Sequence, residues 1–178
     1  MSEVKYDWDN VERAVQNIAM KMYETEWRPD YIVGVTRGGL IPAVMLSHMT
    51  GIPLNTVSVQ FGSDELEENL ESNLWMAEDA YGYDAEYDDN YKHKPGAQKK
   101  ILVMDDINRS GEAMTWIQKD WQQSCFPVSP VWDKVWHDNV RFASLISDEN
   151  ALIECDYYSD LFSDFSDKRV WVSFPWER

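Results

Sequence analysis

The chain has 178 residues, with 16 Lys and Arg against 32 Asp and Glu, a formal net charge of −16. Such a balance argues against sequence-independent nucleic-acid binding, which relies on cations neutralising phosphates, and against docking on an anionic membrane. With 44% hydrophobic residues the chain can bury a core as one domain, 1–178, while its start, Met1-Ser2-Glu3-Val4-Lys5, reads as neither a signal peptide nor a membrane span.

In chain order, Asp9 or Asn10 is placed to cap a first helix, whose apolar positions Val11, Ala14, Val15, Ile18, Ala19 and Met22 recur at helical spacing. Tyr31-Ile32-Val33-Gly34-Val35 reads as a short strand, and Thr36-Arg37-Gly38-Gly39 as the loop after it. Leu40-Ile41-Pro42-Ala43 opens a second helix, since proline is tolerated in a first turn. Asn55 to Phe61 alternates like a strand. Strand, glycine loop, helix and strand form a βαβ unit with parallel strands.

From residue 62 to residue 98 the composition turns acidic, with no Lys or Arg before Lys92. This stretch reads as an insertion, either a solvated acidic excursion or a lid, with a short helix through Leu66, Leu70 and Leu74. Ile101-Leu102-Val103-Met104 then forms an unbroken apolar run, the mark of a strand buried on both faces. Two carboxylates, Asp105 and Asp106, sit where that strand ends. A Ser110-Gly111 turn follows, and Glu112 to Gln122 continues as a helix. A loop running from a strand end into a helix N-terminus offers free amides and the positive end of a helix dipole, a seat for phosphate. Paired carboxylates beside that seat suit sugar hydroxyls or a hard cation. Val140 to Ile146 reads as another buried strand, and the segments Asp156–Asp160 and Lys168–Ser173 as short late strands or extended loops. Cys125 and Cys155 are far apart and show no metal-like spacing, so reduced thiols in a cytoplasmic protein are expected, with one disulfide between them as the alternative.

Three stretches in order carry a resemblance: Val35-Thr36-Arg37-Gly38-Gly39-Leu40-Ile41-Pro42-Ala43, Val103-Met104-Asp105-Asp106-Ile107-Asn108-Arg109-Ser110-Gly111, and Trp171-Val172-Ser173-Phe174-Pro175-Trp176-Glu177. Together they resemble the type I phosphoribosyltransferases, most of all the bacterial xanthine-guanine branch. The resemblance implies an α/β fold, a parallel sheet flanked by helices, with a small C-terminal hood (156–178) and the acidic insertion (62–98). It implies a glycosyltransferase of purine salvage that transfers the phosphoribosyl group of phosphoribosyl pyrophosphate (PRPP) to a base, in particular a 6-oxopurine, and releases pyrophosphate. Mg²⁺ is the implied cofactor, PRPP and a nucleobase the implied partners, and a homodimer or homotetramer the implied assembly.

Residue by residue, the resemblance gives Thr36, Arg37, Gly38 and Gly39 to pyrophosphate, and Asp105 and Asp106 to catalysis and to the metal. It gives Asn108, Arg109, Ser110, Gly111, Glu112 and Ala113 to the 5′-phosphate, and Trp171, Val172 and Ser144 to the base. Three positions depart from the pattern. Arg109 stands where 6-oxopurine enzymes usually carry a general-base aspartate, Ala113 where threonine is common, and Ser144 where the xanthine-guanine branch has a lysine. Arginine cannot act as a base at ordinary pH. A catalytically degenerate protein that binds PRPP or a nucleotide is therefore the alternative. Read without the resemblance, the aspartates also suit a helix cap, Gly38-Gly39 a ligand-free turn, and Trp171 a core or interface position.

Overall fold

The computed structural model describes residues 2–59, 70–83, 98–163 and 170–177. Seven strands and four helices follow one another as β1 (Ser2–Lys5), α1 (Trp8–Glu24), β2 (Tyr31–Thr36), α2 (Leu40–Thr50), β3 (Leu54–Ser58), α3 (Leu70–Tyr81), β4 (Ile101–Asn108), α4 (Glu112–Ser124), β5 (Val140–Asp148), β6 (Tyr157–Phe162) and β7 (Val170–Ser173), with a 3₁₀ turn at Pro130–Lys134 before β5. Five strands form one sheet in the order β3-β2-β4-β5-β6, and every pair in it is parallel. This is the α/β arrangement expected for a type I phosphoribosyltransferase.

Alternation along the central strands divides the interior into two layers. Ile32, Leu102, Met104, Ala143 and Leu145 point to the face covered by α1 and α2. Tyr31, Val33, Val35, Ile101, Val103, Val140 and Phe142 point to the opposite face, where Met76, Ala77, Ala80, Met114, Ile117, Trp121 and Trp132 cover them. A sheet buried on both sides explains why Ile101 to Met104 carries no polar alternation.

Three expectations change. The first helix is capped two to three residues earlier than Asp9 or Asn10: Asp7 is the N-cap, its carboxylate accepts from the Asn10 amide, and the Asn10 side-chain oxygen accepts in turn from the Asp7 amide. That reciprocal box satisfies two of the orphan donors of the helix start. The second change concerns the acidic stretch. Its middle, α3, is a core helix and no surface excursion, because Met76, Ala77 and Ala80 are buried under the sheet and α3 packs along α4. Asn73 reaches across to donate to Asp120 at 3.1 Å, both residues being buried. The Leu66 end of the expected short helix lies outside the described residues, as do 60–69 and 84–97, so the lid reading has no structural counterpart to compare. Third, the segment 156–178 divides. Tyr157–Phe162 is the edge strand β6 of the main sheet, while β7 leaves that sheet and pairs in parallel with β1.

The β1–β7 pair is the small hood. Its inner side chains Val4, Val170, Val172 and Phe174 pack on the α1–α2 layer, and Tyr6 just beyond β1 donates its hydroxyl to Asp160 of β6. Cys125 and Cys155 are both free and buried; burial pushes each thiol up to about 12, so neither is a ready nucleophile.

Candidate active site

The chain leaves β2 through α2 to β3 on one side and returns to β4 on the other side of β2. Between β2 and β4 the strand order therefore reverses, and ligands of open α/β sheets bind in the crevice beyond the strand ends at such a point. Both candidate loops begin there. Thr36 ends β2 and hydrogen-bonds through its hydroxyl to the Val57 carbonyl, and the Thr36–Arg37 peptide is cis. Asp105 and Asp106 occupy the outer half of β4.

The loop after β2 lies against the outer half of β4. A Cβ added to Gly38 would lie 2.0 Å from Asp106 Oδ2, and one added to Gly39 would lie 2.6 Å from the Met104 carbonyl oxygen and 2.7 Å from Asp105 Cα. At Gly39 the neighbours are backbone atoms that cannot give way, so only glycine allows the approach, whereas at Gly38 a Cβ would have to displace the Asp106 carboxylate. A cleft of about 1280 Å³ opens above, walled by Arg37, Gly38, Ile41 and Asp106 below and by Glu3, Lys5, Asp7, Trp8, Trp171, Ser173 and Trp176 of the hood side.

Asp105 Oδ1 accepts from the Asp106 amide at 2.9 Å, and Asp106 Oδ1 accepts from the Ile107 amide at 2.8 Å. Burial raises the Asp105 carboxyl well above the usual range, and the neighbouring Asp106 charge raises it further. Burial likewise raises Asp106, against the pull of its hydrogen bonds, and Glu177 across the cleft adds to the effect. Two hard oxygen ligands held at an energetic cost suit a cation delivered with its own ligands. Among the described residues no group of three Asp, Glu, His or Cys is placed to hold a metal. A metal here would thus complete its shell from substrate oxygens, which is how Mg²⁺ is usually held beside phosphates.

The turn after β4 lies outside this cleft wall. Gly111 has φ +82°, and a Cβ there would meet the Ile153 amide nitrogen at 2.7 Å, so both backbone and space call for glycine. The Ser110 hydroxyl accepts from the Glu112 amide at 3.3 Å, Glu112 and Ala113 form the first turn of α4, and Gly111 as N-cap brings no side-chain acceptor. Arg109 extends toward the hood, where its guanidinium donates to the Val170 carbonyl at 3.4 Å. Asn108 requires correction. Its buried side-chain amide donates to Ser147 Oγ and to the Ile153 carbonyl, so it ties β4 to its neighbours and does not offer itself to a phosphate.

Ser144 is a second correction. It pairs with Asp105 across β4 and β5 but is fully buried, with its hydroxyl donating to the Ile146 carbonyl and lying 3.3 Å from Cys155 Sγ. It does not face a base. Trp171 does face the cleft and is 54% exposed, whereas the Val172 side chain is in the core. Sequence reasoning missed the contribution of β1. Four residues at the chain start with no glycine or motif give no local signal of a site, and only pairing with β7 brings Glu3 and Lys5 to the cleft.

A doubly wound parallel sheet with a glycine loop against twin aspartates at its switch point is an open α/β protein of the class that binds its ligand beyond the strand ends. The chain belongs to the family of the phosphoribosyl transferase domain, whose model matches residues 5–118. Among solved structures, it is similar to a purine phosphoribosyltransferase from Pyrococcus horikoshii, with 24% identity, a TM-score of 0.61 and coverage of 100% of this chain and 96% of that one. It is also similar to a Helicobacter pylori xanthine-guanine-hypoxanthine phosphoribosyltransferase (16%, TM-score 0.63, 99% and 94%) and to a Neisseria gonorrhoeae protein with bound ppGpp (19%, TM-score 0.62, 99% and 90%). At these identities the likeness is one of fold. No curated protein matches the chain. No described helix is long and apolar enough to cross a membrane.

Proposed function

We propose that this protein is a Mg²⁺-dependent nucleobase phosphoribosyltransferase of purine salvage, transferring the phosphoribosyl group of PRPP to a 6-oxopurine with release of pyrophosphate. The observation that carries the reading is the contact of Gly38-Gly39 with Asp105-Asp106 beneath a cleft roofed by Trp171. Displacement at the ribose C1 by a base nitrogen builds positive charge on the sugar and negative charge on the leaving group. Arg37 and the loop amides of 36–39 meet the negative charge, being aimed at the leaving group before it forms. Asp106 in the cleft and Asp105 behind it hold the ribose hydroxyls and face the positive sugar. Mg²⁺, bound by the two aspartates and substrate oxygens, would screen the pyrophosphate. The amides of Ser110 to Ala113, at the positive end of α4, take the 5′-phosphate, and Trp171 covers one face of the base. With arginine at 109, the proton on the base passes to water or to a phosphate oxygen. The setting for such chemistry is the cytoplasm, and the assembly a homodimer or homotetramer.

The test is turnover. Incubation with PRPP, Mg²⁺ and guanine, hypoxanthine, xanthine or adenine is expected to yield a mononucleotide, and Asp106→Asn to lower kcat/KM by about a hundredfold or more, the usual scale of a lost transition-state charge contact. If high enzyme concentration consumes no base, the reading fails. The second reading, a protein that binds PRPP or a nucleotide without turnover, is favoured by Arg109, which stands in the sequence position of the general-base aspartate and whose guanidinium instead donates to the hood backbone at Val170.

A further inference from the structure

β1 and β7 pair in register, Glu3 opposite Trp171 and Lys5 opposite Ser173. With Val4 and Val172 turned into the core, alternation sets Glu3, Lys5, Trp171 and Ser173 together on the other face of the hood, and all four line the cleft. An exposed indole there offers a flat ring a surface. Glu3 is the register partner of Trp171 on the neighbouring strand, about 4.8 Å away between backbones, so its carboxylate can reach the edge of a ring lying on that indole. It is also aimed: Ser173 Oγ donates to Glu3 Oε1 at 3.2 Å, and Lys5 Nζ lies 3.5 Å from Oε2. A carboxylate has about four lone-pair sites, so about two remain for a ligand.

Resting on the phosphoribosyltransferase reading above, we propose that Glu3 and Lys5 read the edge of the nucleobase stacked on Trp171, and that Glu3 makes the cleft select guanine over xanthine. Guanine presents N1–H and its 2-amino group side by side, two parallel donors that match a carboxylate, while Lys5 donates to the adjacent 6-oxygen. Hypoxanthine keeps only N1–H. Xanthine turns an acceptor oxygen at C2 toward the carboxylate and sheds a ring proton more readily, so it meets repulsion in place of a bond. The interior position Ser144 cannot supply this reading, because its hydroxyl is spent on the Ile146 carbonyl.

The test compares the wild type with Glu3→Gln, folded state verified by circular dichroism, on guanine, hypoxanthine and xanthine with PRPP and Mg²⁺. Expected is the order guanine, hypoxanthine, xanthine in wild-type kcat/KM, with the guanine-to-xanthine ratio falling about ten- to a hundredfold in the variant, the scale of a charge-assisted hydrogen bond. Ser173→Ala, which removes one of the groups aiming the carboxylate, should lower the ratio by less. An unchanged ratio in Glu3→Gln overturns the proposal even if turnover is normal. If the wild type turns over no base, the transfer reading falls by itself, and calorimetric binding of GMP and XMP to both proteins decides the role of Glu3. A preference for GMP that disappears in the variant supports it, and equal Kd ratios, or no binding of either nucleotide, overturn it.

Discussion

Asp105 and Asp106 are adjacent acids at the outer end of the central strand β4, against the Gly38-Gly39 turn, and each keeps its proton to a higher pH than a free carboxyl does. A group whose folded-state pKa is raised binds more protons in the folded than in the unfolded chain over the interval between the two values. Stability therefore falls as pH rises through that interval and stays reduced above it. Asp105→Asn keeps an oxygen for the Asp106 amide but removes the charge. The variant should melt at a higher temperature than the wild type at pH 7, with the gap narrowing as pH is lowered toward 4. Scanning calorimetry across that range checks the sign, and a variant equally or less stable at every pH would contradict the raised pKa. The same change should abolish turnover, so that stability is lost where chemistry is gained.

Helix α3 makes the corresponding argument for an element. Its sequence, LESNLWMAEDAY, lies in the most acidic stretch of the chain, and its composition predicts a solvated segment. The burial of Met76 at 2% and of Ala77 and Ala80 at 0% shows a core helix covering β2 and β4. Met76→Ala should cost about 2–5 kcal/mol, as truncations of buried methionine do, read as a lower urea midpoint at unchanged slope; a loss below about 0.5 kcal/mol would return α3 to the surface. The elements that were legible in sequence are those whose own residues carry the signal. β2 and β4 declare themselves as apolar runs, the loops after them through glycine, and the outer end of β4 through its paired aspartates. Two others were not. The described buried apolar face of α3, Met76, Ala77, Ala80 and Tyr81, is scattered among acids, and the hood strand β1 acquires meaning only from its partner β7, 168 residues later in the register pair Lys5–Ser173. Contacts made across the whole chain leave no local periodicity, and the cleft residues Glu3 and Lys5 were missed for that reason.

At the scale of the whole molecule the governing quantity is the charge of −16. Lys5–Glu3, Lys99–Asp79 and His137–Asp156 are the ion pairs among the described residues, and the first two join groups at least partly in water, where such pairs contribute about 0–1 kcal/mol each. With 32 acids against 16 bases the excess remains whatever pairs form, and a compact chain concentrates it while an unfolded one disperses it. Salt relieves this repulsion, since the screening length shrinks from about 10 Å at 0.1 M to about 3 Å at 1 M. Raising KCl across that range at pH 7 should raise the melting temperature by about 2–8 °C, equivalent to about 1–2 kcal/mol for a domain of this size. The cause can be separated from a general salting-out of apolar surface by pH. Close to the sequence pI of about 4.4 there is little net charge to screen, so the KCl effect should flatten there, whereas an effect on apolar surface would persist. A melting temperature that climbs equally with KCl at both pH values would mean that the acidic excess does not limit the stability of this fold.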